Sequence, residues 1–329
     1  MSVGLDIGTS FIVSAREKKN KVVYKRQRDG FFTITAETAI SAKFIEQGLK
    51  KAGSDFFKKG DSFYIIGDAA LEKALERRAV LQRPLHKGVI NSKEPEALEM
   101  IKQIISGVLG KPKEENEVCI YSVPENPIDQ VFDIVYHKNI LNQILGDLGY
   151  KASSLNEAEA IAYSELMEEG LTGITVSWGA GMTNFAVMSS GNSELRFAVA
   201  KGGDFIDEKV AISLGLSPSV IQAEKESGLD LNAPTNKIQN AICIYYKHLV
   251  SSVIDEAVEK ITSADTLPKF SKATLVVSGG TTMPAGFVEI LTDKLNQVVF
   301  PIELGDIRKA ELSLETVAKG CWLAASVQE

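Results

Sequence analysis

The chain twice runs strand, glycine turn, strand, polar turn, strand. The first pass is "VGLDIGTSFIVSAREKKNKVVYKRQ", opening at Val3, and the second is "GITVSWGAGMTNFAVMSSGNSELRFAVAKGG", opening at Gly173. Both are bounded and divided by the turn residues that mark β-hairpins. The two passes lie too far apart for the roughly 20–50-residue periods of solenoids and propellers. They point instead to two related halves, each beginning with a three-stranded meander. Two similar α/β lobes enclose a cleft, the usual place for a ligand.

Between and after the meanders, strand and helix patterns alternate. Residues 31–64 are irregular in pattern and rich in Lys, Phe and Gly, which predicts a small inserted subdomain. "SFYIIGDAALEKALER" predicts a strand, a turn and an amphipathic helix. "RPLHKGVINSKEPEALEMIKQIISGVLG" predicts a loop and then a helix with Leu98, Ile101, Ile104 and Ile105 on its apolar face. "NEVCIYSVP" is nearly continuous in apolar residues, as a central strand covered on both sides requires. A helix over about 128–147 follows, and "YKASSLNEAEAIAYSELMEEG" gives a strand-to-helix step. Beyond the second meander, helices are expected around 204–214, 218–226 and 235–264. "ATLVVSGGTTMPAGFVEILTDKLN" reads as a buried strand, a glycine turn and a helix capped near Pro284, and "SLETVAKGCWLAASVQ" as a closing helix. The expected division places 1–150 and 309–329 in one lobe and 151–308 in the other, with about 204–264 as a helical subdomain.

Three glycine turns carry the functional signal. In "LDIGTS", Gly8 allows close approach of the backbone, and Thr9 and Ser10 offer hydroxyl and N–H groups to an anion. Asp6 ends the preceding strand. A carboxylate beside a polyphosphate is repulsive unless a divalent cation lies between, so Asp6 implies Mg²⁺ reached through water. In the second turn, Gly179 and Gly181 permit positive φ angles that would aim consecutive N–H groups at one anion. The third, Gly279-Gly280-Thr281, joins an apolar strand to a helix, a geometry that brings backbone close to a ring or ribose. Each turn alone is equally a plain hairpin or loop. The sequence contains neither a GxxxxGK[ST] loop nor a GxGxxG fingerprint.

Composition narrows the class. The net charge of −7 argues against a general nucleic-acid binder. Cys119, Cys243 and Cys321 are scattered and odd in number, which fits a reducing cytosol better than disulfides or zinc. No signal-peptide pattern opens the chain, and no apolar run approaches the ~20 residues of a spanning helix, so a cytoplasmic location is expected. Arg16, Lys18, Lys19, Lys21, Lys25, Arg26 and Arg28 cluster on the first meander. They read as a solvated hairpin tip and strand face, or as a contact for an acidic partner or anionic lipid. His86, His137 and His248 are isolated and read as surface or loop residues; Trp178 and Trp322 read as packing; Glu165, Glu168 and Glu169 read as a solvated helix end.

Taken in order, "LDIGTS", "NEAEAIAYSE", "VSWGAGMT", "KGGDFIDEKV", "VVSGGTTMP" and "TVAKGCWLAA" resemble the actin, sugar-kinase and heat-shock-chaperone ATPase superfamily, and within it the prokaryotic actins of the MreB type. "YIIGDAALEKA", "LQRPLHKGVI" and "VCIYSVPENPIDQ" extend the resemblance over nearly the whole chain. It implies an α/β actin-like fold of two related lobes, each a mixed sheet flanked by helices, with ATP or ADP and Mg²⁺ in the cleft.

By the same resemblance, Gly8, Thr9 and Ser10 hold the β- and γ-phosphates, and Asp6 the hydrated metal. Ser177, Gly179, Ala180, Gly181, Met182 and Thr183 form the second phosphate hairpin. Gly202, Gly203 and Asp204 border the cleft. Glu224, Lys225 and Glu226 resemble the segment touching ribose and adenine, and Gly279, Gly280 and Thr281 face adenosine. Glu157 matches the residue that orients the attacking water; by its position it is equally a helix-start glutamate near the positive end of the macrodipole. Small residues, Ala158, Ala160 and Ala162 with Gly320 and Ala324, let two connecting helices cross closely where the lobes hinge. One departure stands out: Ser177 occupies the place of the family's second aspartate. The implied function is a filament-forming ATP-binding protein whose slow hydrolysis regulates assembly. A non-polymerising adaptor with structural nucleotide and a small-molecule kinase are the alternatives.

Overall fold

The structure is a computed structural model that describes residues 2–131, 134–264, 267 and 272–328. The first meander is β1 (Ser2–Ile7), β2 (Phe11–Lys18) and β3 (Lys21–Arg28). The chain continues through β4 (Phe31–Thr35), α1 (Ala39–Ala52), β5 (Phe56–Lys59), β6 (Ser62–Ile66) and α2 (Asp68–Glu76). A two-residue pair, β7 (Leu85–His86) and β8 (Val89–Ile90), precedes α3 (Ala97–Leu109), β9 (Val118–Val123), α4 (Ile134–Asp147), β10 (Lys151–Asn156) and α5 (Glu157–Glu165). The second meander is β11 (Gly173–Trp178), β12 (Thr183–Ser189) and β13 (Asn192–Val199). Then come α6 (Gly203–Leu214), α7 (Pro218–Glu226), α8 (Lys237–Thr262), β14 (Ala273–Ser278), α9 (Phe287–Leu295), β15 (Leu304–Lys309) and α10 (Thr316–Ser326).

The two five-stranded sheets have the same topology. One runs β10-β9-β1-β2-β3 and the other, read in reverse, β15-β14-β11-β12-β13. In each, the meander pairs antiparallel and the two later strands add parallel beside the first strand. The apolar run of β9 lies between β1 and β10, with Cys119 paired to Val3 and to Ala152. Helices α5 and α10 follow β10 and β15, the equivalent last strands, and cross between the sheets. Their contact is made of Ala158, Ala160, Ile161, Val317 and Cys321, together with Ile120 from one sheet and Val276 from the other. A Cβ on Gly320 would collide with the carbonyl of Ala160, and one on Gly4 with the backbone of α10 at Ala318 and Trp322. The small residues therefore set the helix separation at backbone contact.

Several expectations change in the structure. Residues 31–64 are ordered: β4, β6 and β5 form a three-stranded antiparallel sheet, and α1 packs Ala42 and Leu49 into a core shared with Phe63, Ile65 and Leu71. Thr38 caps α1 by accepting from the Ser41 N–H, and Gly53 ends it in the left-handed region at φ 66°. Of the helix expected over 128–147, residues 128–131 are not helical, Ile128 donating its N–H to Ala198 O, and the described helix is Ile134–Asp147; Phe132 and Asp133 lie outside the described residues. Leu98 faces solvent, and Ala97 and Met100 join Ile101, Ile104 and Ile105 on the buried face of α3. His137 is buried in α4 rather than on the surface, and burial pushes its imidazole down to about 4.

The two tryptophans pack. Trp178 is fully buried with its ring 5.3 Å from Phe287, edge to face, and Trp322 packs beside Ala318. His86 and His248 are exposed, and the three cysteines are buried thiols. The glutamates at 165 and 169 are not free in solvent. Arg308 of β15 pairs with Glu165 at 3.2 Å and Glu169 at 3.1 Å, and only Glu168 stands exposed. Among the described residues, no helix is long and apolar enough to cross a membrane.

Candidate functional site

The β1–β2 turn and the β11–β12 turn meet tip to tip. A Cβ on Gly181 would lie 2.7 Å from Thr9 Oγ1 and against the backbone of Lys87 and Gly88. Thr9 Oγ1 accepts the Gly88 N–H at 2.9 Å, so the β7–β8 turn is tied to the first turn as well. Neither Gly179 nor Gly181 has a positive φ, contrary to expectation. Their requirement is space: a Cβ on Gly179 would sit 2.9 Å from Met182 O, inside the turn that Gly179 N–H closes onto that same carbonyl. Gly279 does adopt φ 100°, and its missing side chain is what lets it lie on the Trp178 carbonyl.

These turns border a cavity of about 430 Å³ between the two sheets. Gly8, Thr9 and Ser10 line it from one half. Ser177, Gly179, Ala180, Gly181 and Met182 line it from the other. Gly203, Lys225, Glu226, Gly279, Gly280 and Thr281 complete much of the remaining wall. The expected residues Thr183, Gly202, Asp204 and Glu224 stand outside it. Thr183 is buried and donates to Lys201 O at 2.8 Å. Gly202 is pressed on the carbonyls of Gly179 and Ala180. Asp204 pairs with Arg83 at 2.7 Å, and Glu224 accepts from Asn236 and Gln239. Of the 224–226 segment, the adjacent Lys225 and Glu226 line the cavity and Glu224 does not.

Two carboxylates form the floor. Asp6, near the end of β1, accepts from Ser122 Oγ at 2.8 Å, and burial raises it to about 6. Glu157 is the first residue of α5, whose N-cap Asn156 accepts from the N–H groups of Ala158 and Glu159. Its Oε2 accepts from Ser177 Oγ and from Asn184 Nδ2, both at 3.1 Å. Burial first, and then the charge of Asp6, raise Glu157 to about 8 despite those two donors. Two buried carboxylates that resist ionising together suit a site completed by a divalent cation, so the residues present fit one.

The cations of the cleft are mostly committed elsewhere. Lys225 Nζ donates to Asp207 Oδ2 at 2.9 Å. Arg28 is buried, not part of a solvated strand face. It donates to Asp68 Oδ1 at 2.7 Å and, with both terminal nitrogens, to Glu226 at 3.0 and 2.7 Å. This bidentate pair joins β3 to α7 across the cleft. Arg16 also leaves the solvated set, since it pairs with the buried Glu117 and donates to Tyr150. Lys18, Lys19, Lys21 and Lys25 remain exposed, as the sequence suggested. Arg26 and Arg28 flank the Phe11 ring at 5.0 and 4.6 Å.

The sequence did not single out Asn184, Arg28 as a cleft residue, or Asp207. Asn184 follows the turn, is fully buried, and also accepts the Glu125 N–H at 2.8 Å through Oδ1. Its polar side chain in an otherwise apolar strand was the available signal. Asp207 falls one helical turn after Gly203, which places both on one face of α6.

The chain matches the family described as Volactin over residues 1–325. No curated protein matches it. Among solved structures it is similar to the MamK double helical filament, with 17% identity, 98% of each chain covered and a TM-score of 0.68. It is also similar to MreB 5 of Spiroplasma citri bound to AMPPNP, with 17% identity, 97% and 93% covered and a TM-score of 0.67. Ethanolamine utilization protein EutJ from Carboxydothermus hydrogenoformans follows at 16% identity, 98% and 89% covered and a TM-score of 0.56. At these identities the likeness concerns the fold. The repeated sheet topology, the cleft between the sheets and the family match together place the chain: it belongs to the Volactin family and has the fold of the MreB-like prokaryotic actins.

Proposed function

We propose that this chain is an actin-like assembly protein that binds ATP with Mg²⁺ in the cleft and self-associates head to tail into filaments. The observation that carries the reading is the meeting of two glycine turns above a paired-carboxylate floor, in a cavity of about 430 Å³. Related folds support it, since one solved neighbour is a filament and others hold AMPPNP or ADP. Two lobes, 1–150 with 309–329 and 151–308, would close on the nucleotide, and the closed arrangement would fit the next subunit.

In this reading the backbone N–H groups around Gly8–Ser10 and Gly179–Met182 bind the phosphates. The cavity's arginines and Lys225 are largely neutralised by Asp68, Glu226 and Asp207, so phosphate charge depends on those N–H groups and on the cation. A bound Mg²⁺ would screen the phosphates from Asp6. Glu157, held by Ser177 and Asn184, positions a water; with a serine in the second acidic place, that water is held by one charge fewer and hydrolysis is slow. The same serine favours a second reading, an adaptor of this fold in which nucleotide is structural.

Calorimetry with ATP and with ADP, with and without Mg²⁺, tests binding, and light scattering with negative-stain microscopy tests assembly. Saturable Mg²⁺-dependent binding with filaments supports the proposal. Binding without filaments selects the adaptor, and absence of binding to any purine nucleotide removes both.

A further inference from the structure

A second cavity, of about 230 Å³, lies between the segment around residues 80–91 and helices α6 and α7. Both sides of the cleft build it. Leu81 N–H donates to Ser219 Oγ at 3.1 Å, and Arg83 reaches Asp204 at 2.7 Å and Gln222 Oε1 at 2.9 Å. One part of its wall is apolar, from Leu81, Leu85 and Pro218; another is acidic, from Asp204, Asp207 and Glu208.

Asp207 is the informative member. It is only 3% exposed and lines both cavities. Its Oδ2 accepts from Lys225, which lines the main cleft and not the smaller cavity, and its Oδ1 has no hydrogen-bond partner among the described residues. Because Asp207 also lines the smaller cavity, Oδ1 is the acceptor open to an occupant there. A buried acceptor without a donor is destabilising, and a bound donor would recover that cost. Glu208, exposed at the rim, pairs with no cation among the described residues. Arg83 offsets Asp204 and Lys225 offsets Asp207, so the uncompensated charge on the acidic side is that of Glu208. No group of three His, Cys, Asp or Glu among the described residues is placed to hold a metal ion. Acceptors in excess beside an aliphatic wall call for N–H donors on a short carbon stem.

We propose that this cavity binds a small organic cation, a primary ammonium on a short aliphatic stem, whose N–H groups reach Asp207 Oδ1 and whose charge faces Glu208. The stem lies along Leu81, Leu85 and Pro218. An occupant touches the 80–91 segment and α6–α7 together and so strengthens the contact across the cleft independently of any nucleotide.

The test is calorimetric titration of the intact protein with 1-aminobutane at physiological salt, with 1-butanol as the uncharged comparison. Expected are one site per chain, about 10-fold or greater weakening in both Asp207→Asn and the rim variant Glu208→Gln, and no binding of butanol. Glu208 is exposed, so its variant folds and reports the charge alone. The proposal is overturned by no saturable binding, by a stoichiometry well above one, by butanol binding equally, or by unchanged affinity in Glu208→Gln. Nucleotide affinity, measured separately on Glu208→Gln, stays at the wild-type value.

Discussion

Asn184 holds Glu157 with one end of its amide and the Glu125 backbone with the other, at 3.1 and 2.8 Å. It thereby ties the residue at the head of α5 to the segment that leaves β9, in the opposite sheet. Asn184→Leu removes a donor and an acceptor at a fully buried position and strands both partners. A loss of roughly 2–4 kcal/mol in urea unfolding is expected, against about 1 kcal/mol for Ser177→Ala. Equal, small effects in the two variants would show that the amide does not organise the floor.

Ser177→Asp would place a third carboxylate against Asp6 and Glu157. Without a divalent cation, three buried carboxylates repel, and the melting temperature falls by several degrees in EDTA. With Mg²⁺ and ATP the added charge strengthens the cation's hold, so the variant recovers stability and releases phosphate faster than wild type. A variant whose melting is indifferent to Mg²⁺ contradicts the cation-completed floor.

The Arg28–Glu226 pair spans the mouth of the cleft, with Asp68 as a third member. Glu226→Gln keeps the shape and removes the charge. Amide hydrogen exchange in α2 and α7 should rise, and a fluorescent nucleotide should leave about 10-fold faster. Exchange unchanged in both helices would mean that the pair does not hold the mouth closed.

The backbone-to-backbone crossing of α5 and α10 admits no methyl group. Gly320→Ala is expected to cost about 3 kcal/mol or more, or to prevent folding. Gly48→Ala is its control: Gly48 lies inside α1 with open space around its Cα, so alanine there stabilises by roughly 0.5–1 kcal/mol. Chemical denaturation of the pair reads both signs.

His137 gives the fold an acid-sensitive element. The unfolded imidazole takes a proton near its ordinary value of 6.5, whereas the buried one resists until about 4. The folded pKa is depressed, so stability is fully present above 6.5 and declines as pH falls to about 4, by roughly 3 kcal/mol in all. In His137→Leu that portion of the decline disappears. Identical slopes in wild type and variant would contradict a neutral buried imidazole.

Much of the fold was legible because it rests on local pattern. Period-2 runs divided by Gly8 and Gly179 gave the paired meanders, and the apolar continuity of 118–123 gave the central strand. The 31–64 region was less legible because its strands are short and pair antiparallel over separations that no local window sees; Thr38 and Gly53, its capping residues, were the usable marks. The turns of the cleft were visible as glycines, but the reason for those glycines was not. Gly181 is required by Lys87 and Gly88, far away in the chain. Arg28 was indistinguishable from its lysine neighbours, since its burial is created by Glu226 almost two hundred positions later.

Because Gly320 and Ala160 meet without side chains between them, the halves have no layer of packing there that could slide. Were the halves to move against one another, that touching point is where they would pivot, as a knuckle does. The Arg28–Glu226 pair, which joins β3 to α7 across the cleft, would then open or close as that joint turns.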